Sequence, residues 1–124
     1  MHLAGINRAV DEELLEGNRI PAMKLVEALV TTGSQAVVLY SSTTHAVNPV
    51  SAYGKAKKAV SHIFSSWAED TGCRFINLVI PHVFGEYGKP FYNSGVATFC
   101  HQLTHGEVLK VNPDGQLELV HVQD

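Results

Sequence analysis

The chain has 124 residues, with 9 Lys+Arg against 12 Asp+Glu, a formal charge of −3 and 45% hydrophobic residues. That is sized for one soluble domain, with no basic footprint for nucleic acid and no charge block suited to a solvating tail or membrane-surface patch. Apolar runs such as 36–40 are too short for a bilayer, no signal peptide opens the chain, and Cys73 and Cys100 have neither metal nor disulfide-framework spacing, so reduced thiols in a cytoplasmic protein are expected.

In chain order, residues 1–4 read as the end of a buried strand that runs into Gly5. Apolar residues at Leu14, Leu15, Met23, Val26, Leu29 and Val30 then recur near a 3.6-residue period. Pro21 is tolerated only in a first turn, which places a short helix at 11–16 and a main helix from Asn18, whose side chain can cap it. Turn chemistry at 31–34 ends that helix. Residues 35–41 are a β-branched apolar run suited to a strand buried on both faces, and 42–50 form a polar loop with the breaker pair Asn48-Pro49.

The clearest helix is 51–70, with Tyr53, Lys57, Val60, Phe64 and Trp67 on one stripe and Gly72 as its stop. Residues 74–80 are a second unbroken apolar run, closed by Pro81, and 84–90 are a Gly- and Pro-bearing loop. A helix is expected at 93–103, then short strands at 108–111 and 117–122 separated by the turn Asn112-Pro113-Asp114-Gly115. Alternating strands and helices with buried strands imply an α/β domain with a parallel sheet.

Tyr53-Gly54-Lys55-Ala56-Lys57 is the most informative stretch. Positions i and i+4 share a helix face, so the Tyr53 phenol and the Lys57 ammonium can point into one site. A neighbouring cation favours phenolate, and such a pair can move a proton to or from an alcohol or ketone. Ser41-Ser42-Thr43-Thr44 lies at the carboxyl end of the preceding strand, the edge where open α/β sheets gather ligands, and its hydroxyls can meet the same reacting oxygen. Tyr-x-x-x-Lys alone is a weak pattern, equally met by a packed aromatic beside a solvated lysine. The order strand, Ser/Thr cluster, proline-bearing loop and Tyr-x-x-x-Lys helix is more specific.

With that order on view, the sequence resembles the extended short-chain dehydrogenase/reductases that act on nucleotide sugars. The resemblance implies that Leu3, Ala4 and Gly5, in His2-Leu3-Ala4-Gly5, approach the dinucleotide, and that Asn18 organises a water-linked proton relay. It makes Thr43 the catalytic Ser/Thr, Tyr53 the catalytic tyrosine, and Lys57 the lysine that binds cofactor ribose and lowers the tyrosine pKa. Pro81-His82-Val83-Phe84-Gly85 is similar to the Pro-Asn-Val-Phe/Tyr-Gly segment flanking the nicotinamide, which assigns Pro81 and Val83 to the cofactor. The stretch 89–101 resembles bacterial capsular-polysaccharide reductases that act on a 4-keto UDP-2-acetamido-2,6-dideoxyhexose, and makes Asn93 the sugar-nucleotide contact, with helix capping as its alternative. Two positions depart from the pattern: Val79 where many relatives have arginine, and His82 in place of asparagine.

A dinucleotide site of this type also needs a Gly-rich turn at a helix amino terminus to hold the pyrophosphate. No G-x-G-x-x-G occurs here, and Gly85 and Gly88 follow the wrong strand. The expectation is a partial Rossmann-like, doubly wound parallel sheet whose front βαβ units are missing and whose two ends both look cut. It comprises a single partial NAD(P)-binding domain over 1–124, with a substrate-binding region starting at about residue 84.

The expected activity is NAD(P)-dependent reduction of a 4-keto UDP-deoxyhexose for bacterial surface polysaccharide, with NAD or NADP as cofactor and a UDP-sugar as substrate. The resemblance further implies a homodimer through the 18–30 and 51–70 helices. Epimerisation or dehydration would use the same residues, and a non-catalytic interaction fragment is the reading from another class. His101 and His105 have helical i,i+4 spacing but no third ligand nearby, so no metal is assigned, and Cys100 is expected to be a buried thiol.

Overall fold

The computed structural model describes residues 1–124. The chain forms two compact units, Met1–Val79 and Ile80–Asp124. The first contains α1 (Asp11–Thr31), β1 (Val38–Thr43), a 3-10 turn at Thr44–Ala46, α2 (Ala52–Thr71) and nearly all of β2 (Phe75–Ile80). The second contains β3 (His82–Phe84), α3 (Gly95–Thr104) and β4 (Leu119–His121).

α1 is one continuous helix, not the expected short helix followed by a second starting at Asn18. Asp11, Glu12 and Glu13 favour its first turn through the helix dipole, while Val10 supplies no side-chain cap. Pro21 lies inside it, at the loss of one intrahelical hydrogen bond, and burial of Leu14, Asn18 and Ala22 on one face holds the turns on either side. Asn18 is therefore an interior residue. The helix ends as the turn chemistry predicted: Gly33 takes φ 60°, its N–H donates to the Val30 carbonyl at 3.1 Å, and the Ser34 N–H donates to the Leu29 carbonyl at 3.0 Å.

β1 begins later and ends later than the apolar run suggested, and it carries Ser42 and Thr43 into the strand. Its burial alternates, with Val38, Tyr40 and Ser42 buried and Leu39, Ser41 and Thr43 half-buried, so the expectation of two buried faces is corrected. α2 matches its predicted span to within one residue at each end. The Ser51 hydroxyl accepts the Gly54 N–H at 3.1 Å, and Gly72 ends the helix at φ 69°. The core joins Ala22 of α1, Val38 and Tyr40 of β1 and Val60, Phe64 and Trp67 of α2, and α1 packs against α2.

β2 pairs with β1, but its apolar side chains are mostly exposed, including Ile76, Leu78 and Val79. Its unbroken apolar pattern had promised burial; here a two-stranded sheet leaves it an edge. The expected buried strand at 1–4 reduces to one parallel bridge, His2 with Tyr40, and Leu3, Ala4 and Gly5 are exposed.

In the second unit β3 pairs parallel with β4, Val83 opposite Val120. β3 was not anticipated, residues 108–111 form no strand, and the turn at 112–115 closes with the Gly115 N–H on the Asn112 carbonyl at 3.0 Å. Ser94, not Asn93, caps α3, accepting the Ala97 N–H at 3.2 Å. Cys100 is exposed rather than buried, since α3 has no buried residue. No helix is long and apolar enough to cross a membrane.

Candidate active site

The site is built where the carboxyl end of β1 meets the first two turns of α2. The 3-10 turn at Thr44–Ala46 brings the chain from strand to helix, and Gly54 permits the approach: a Cβ there would stand 2.3 Å from the His45 carbonyl oxygen. Gly54 thus fixes the height of the turn of α2 that presents Tyr53.

Lys57 is 7% exposed, and its Nζ donates to the Ser41 carbonyl at 3.0 Å. The ammonium lies 4.9 Å from the Tyr40 ring centroid and 5.9 Å from that of Tyr53. The shared helix face expected for Tyr53 and Lys57 is therefore formed. Burying an ammonium is costly unless it is partnered, and here the partners are a carbonyl and aromatic faces. Desolvation still lowers the Lys57 pKa below the usual amine range.

The sequence suggested that Lys57 would pull the Tyr53 phenol down. In the structure burial decides, and it raises the Tyr53 pKa, which leaves the phenol protonated at neutral pH. Tyr40 is raised further, by desolvation first and then by the charge of Tyr53.

Of the hydroxyl cluster, Thr43 is the last residue of β1. Its Oγ1 accepts the His45 N–H at 3.3 Å, leaving its own O–H hydrogen to donate elsewhere. Ser42 lies on the other face of β1, the face that also carries Tyr40, and is buried at 6% exposure with no hydrogen-bond partner for its Oγ.

Asn18 lies on α1, where its Nδ2 donates to the Ile6 carbonyl at 2.8 Å and the Leu14 carbonyl at 2.7 Å. Its buried Oδ1 has no partner, and a Cβ on Gly5 would come within 2.3 Å of that oxygen. Asn18 therefore fastens the segment that carries Leu3, Ala4 and Gly5 to α1. His2, buried against Tyr40 and Phe64 at ring distances of 5.9 and 5.3 Å, completes the first unit's polar interior. Burial, Lys57 and the amino terminus, in that order, lower its pKa.

The remaining predicted residues belong to the second unit: Pro81 is half-buried before β3, Val83 is an exposed residue of β3, and Asn93 is exposed just before α3. His82, at the position that departs from the family pattern, uses Nε2 to accept the Gly95 N–H at 3.2 Å and so ties β3 to the first turn of α3. His101 and His105 stack at 4.0 Å, and no group of three metal-ligating side chains is present. Sequence reasoning did not single out Tyr40 or the Ser41 carbonyl. A backbone oxygen has no sequence signature, and an aromatic in an apolar strand reads as core.

A family model described as NAD dependent epimerase/dehydratase matches residues 2–124. The UDP-2-acetamido-2,6-beta-L-arabino-hexul-4-ose reductase of Pseudomonas aeruginosa is 35% identical over 99% of this chain, which covers 33% of that protein. The capsular polysaccharide assembling protein CapF of Staphylococcus aureus superposes with a TM-score of 0.73 at 31% identity, over 98% of this chain and 33% of that one. UDP-glucuronic acid 4-epimerase from Bacillus cereus, solved in complex with NAD, gives 0.83 at 17% identity over 98% of this chain and 44% of that one, a likeness of fold. The chain thus spans about a third of the length of the relative and the first of these structures.

Proposed function

The chain belongs to the NAD dependent epimerase/dehydratase family, and from that premise we propose that it supplies the proton-transfer part of a nucleotide-sugar 4-ketoreductase of bacterial surface-polysaccharide synthesis. The observation that carries the reading is the buried Lys57 ammonium, held by the Ser41 carbonyl and directed beside the Tyr53 ring. The 35% identical relative, a hexul-4-ose reductase, favours reduction over epimerisation or dehydration, which would use the same residues, and the protonated phenol is the form that reduction draws on.

In this reading Tyr53 donates its proton to the C4 oxygen as the ketone is reduced. Thr43, its oxygen engaged by the His45 N–H, donates its hydroxyl hydrogen to the same oxygen and polarises the carbonyl. Lys57 then stabilises the phenolate left behind, and Asn18, with an unpartnered buried Oδ1, organises the path that reprotonates Tyr53. NAD or NADP, when bound, supplies the hydride.

The exposed backbone at Leu3, Ala4 and Gly5 and the amine of Lys57 suit the nicotinamide-ribose side of such a cofactor. The pyrophosphate side has no counterpart here: α1 opens with Asp11, Glu12 and Glu13, which repel phosphate. The roles of Pro81 and Val83 toward the cofactor and of Asn93 toward a UDP-sugar rest on sequence resemblance alone. A homodimer through the 18–30 and 51–70 helices is supported by exposed Ile20, Met23 and Val30 on α1, and a cytoplasmic location by the nucleotide-sugar substrate.

The test pairs cofactor titration with mutation. NADH and NADPH fluorescence is followed on the chain alone and with the remainder of the Pseudomonas reductase supplied as a second polypeptide. Binding restored by the second polypeptide, together with Tyr53→Phe abolishing turnover while sparing cofactor binding, is the expected result. An active Tyr53→Phe protein refutes the proton-donor assignment, and binding absent in both mixtures favours a non-catalytic interaction domain.

A further inference from the structure

An ammonium has three N–H donors, and the Ser41 carbonyl at 3.0 Å is one acceptor for Lys57. The amine also stands over the Tyr40 ring, 4.9 Å from its centroid. Tyr40 is 1% exposed, its hydroxyl has no hydrogen-bond partner, and Phe64 and His2 pack on its ring at 5.6 and 5.9 Å. The hydroxyl therefore does not account for the residue. The ring, fixed by two aromatic neighbours, is a rigid negative face under a desolvated cation, the setting in which such a contact is strongest.

We propose that Tyr40 is a positioning residue for Lys57: its ring is the surface on which the ammonium rests, and with the Ser41 carbonyl it aims the amine along α2 toward Tyr53. The catalytic consequence rests on the ketoreductase reading above, but the ring–amine contact stands by itself. Ser41 and Tyr40 are adjacent on β1, so one strand provides both the acceptor and the aromatic face. The titratable groups facing the amine are His2 from the amino-terminal segment, Tyr40 from β1 and Tyr53 from α2 itself.

The experiment labels the lysine side chains of the 124-residue chain with carbon-13 and follows the Lys57 ε-methylene by NMR against pH, assigned by its loss in Lys57→Met. Wild type and Tyr40→Phe should share an upfield ring-current shift and the same titration. Tyr40→Leu should lose that shift and titrate about one pH unit lower, roughly a tenfold change in the acid constant. Progressive fluorination of the phenylalanine in Tyr40→Phe, which drains the ring face at nearly constant shape, should lower the titration stepwise.

A flat fluorination series, or a wild-type Lys57 signal without the upfield shift, overturns the proposal. If Tyr40→Leu fails to fold, the fluorination series decides alone. Neither readout involves substrate, so inactivity alongside the expected titrations counts against the ketoreductase reading and not against this contact.

Discussion

Replacing Gly54 by alanine tests how the strand-to-helix turn sets the position of Tyr53. The new Cβ would lie 2.3 Å from the His45 carbonyl oxygen, 3.1 Å from the carbonyl carbon and 3.4 Å from the Pro49 Cβ. Ordinary carbon–oxygen contacts are about 3.3–3.6 Å, so turn and helix must part by roughly 1 Å. The obstacle is backbone, which cannot rotate away as a side chain would. Forced overpacking of this kind costs about 1–3 kcal/mol, and the better helix propensity of alanine returns up to about 1 kcal/mol. The net expectation is a loss of about 1–2 kcal/mol, or a Tm lower by roughly 4–8 °C for a chain of this size. Trp67 is the only tryptophan and is buried in the core of the first unit, so its fluorescence reports unfolding of that unit. A Gly54→Ala midpoint equal to or above wild type would refute the reasoning, because the turn would then have yielded without cost.

Three further outcomes follow from the same unit. Phe64→Ala, at a fully buried position among His2, Tyr40 and Phe75, should cost about 3–5 kcal/mol in urea denaturation; a loss under about 1 kcal/mol would show that the aromatic cluster closes over the gap. Asn18→Leu leaves the Ile6 carbonyl without its side-chain donor and should cost about 1–3 kcal/mol, with faster amide exchange at residues 5 and 6; unchanged exchange there would remove the tether from the account. The folded-state pKa of His2 lies below its ordinary 6.5, so the unfolded chain binds the extra proton first. Its stabilising contribution is complete above about pH 6.5 and is lost as pH falls toward the folded value. Acid titration of Trp67 fluorescence in His2→Phe should accordingly lose this part of the acid limb, and an identical limb would assign it to other groups.

Sequence legibility tracked how locally each feature is determined. α2 was readable because its stop and its apolar stripe are local signals: Gly72, and the row from Tyr53 to Trp67. The Tyr53–Lys57 pairing followed from that helix. α1 was misread at Pro21, where burial of Leu14, Asn18 and Ala22 overrides a local penalty. β2 was placed to within a residue but its burial was misread, because burial of a strand depends on what lies on its two faces and its edge, which apolar composition does not report; β3 was missed because three residues after Pro81 are too few to show a strand pattern. The rise in the Tyr53 pKa was illegible for a related reason: spacing places the cation nearby, but only the folded surroundings say that desolvation outweighs it.

The residues that anchor α2 and those assigned to chemistry occupy one row of that helix, Tyr53 and Lys57 continuing into Val60, Phe64 and Trp67. A rigid helix cannot turn one end without the other, so any repacking of Phe64 or Trp67 that rolls α2 also swings the phenol and the amine. An engineer seeking a sturdier protein should therefore leave that row alone and work on the exposed positions of the same helix, such as Lys55, Lys58, His62 and Glu69. There a substitution can alter solubility or helix propensity while the aim of Tyr53 stays fixed.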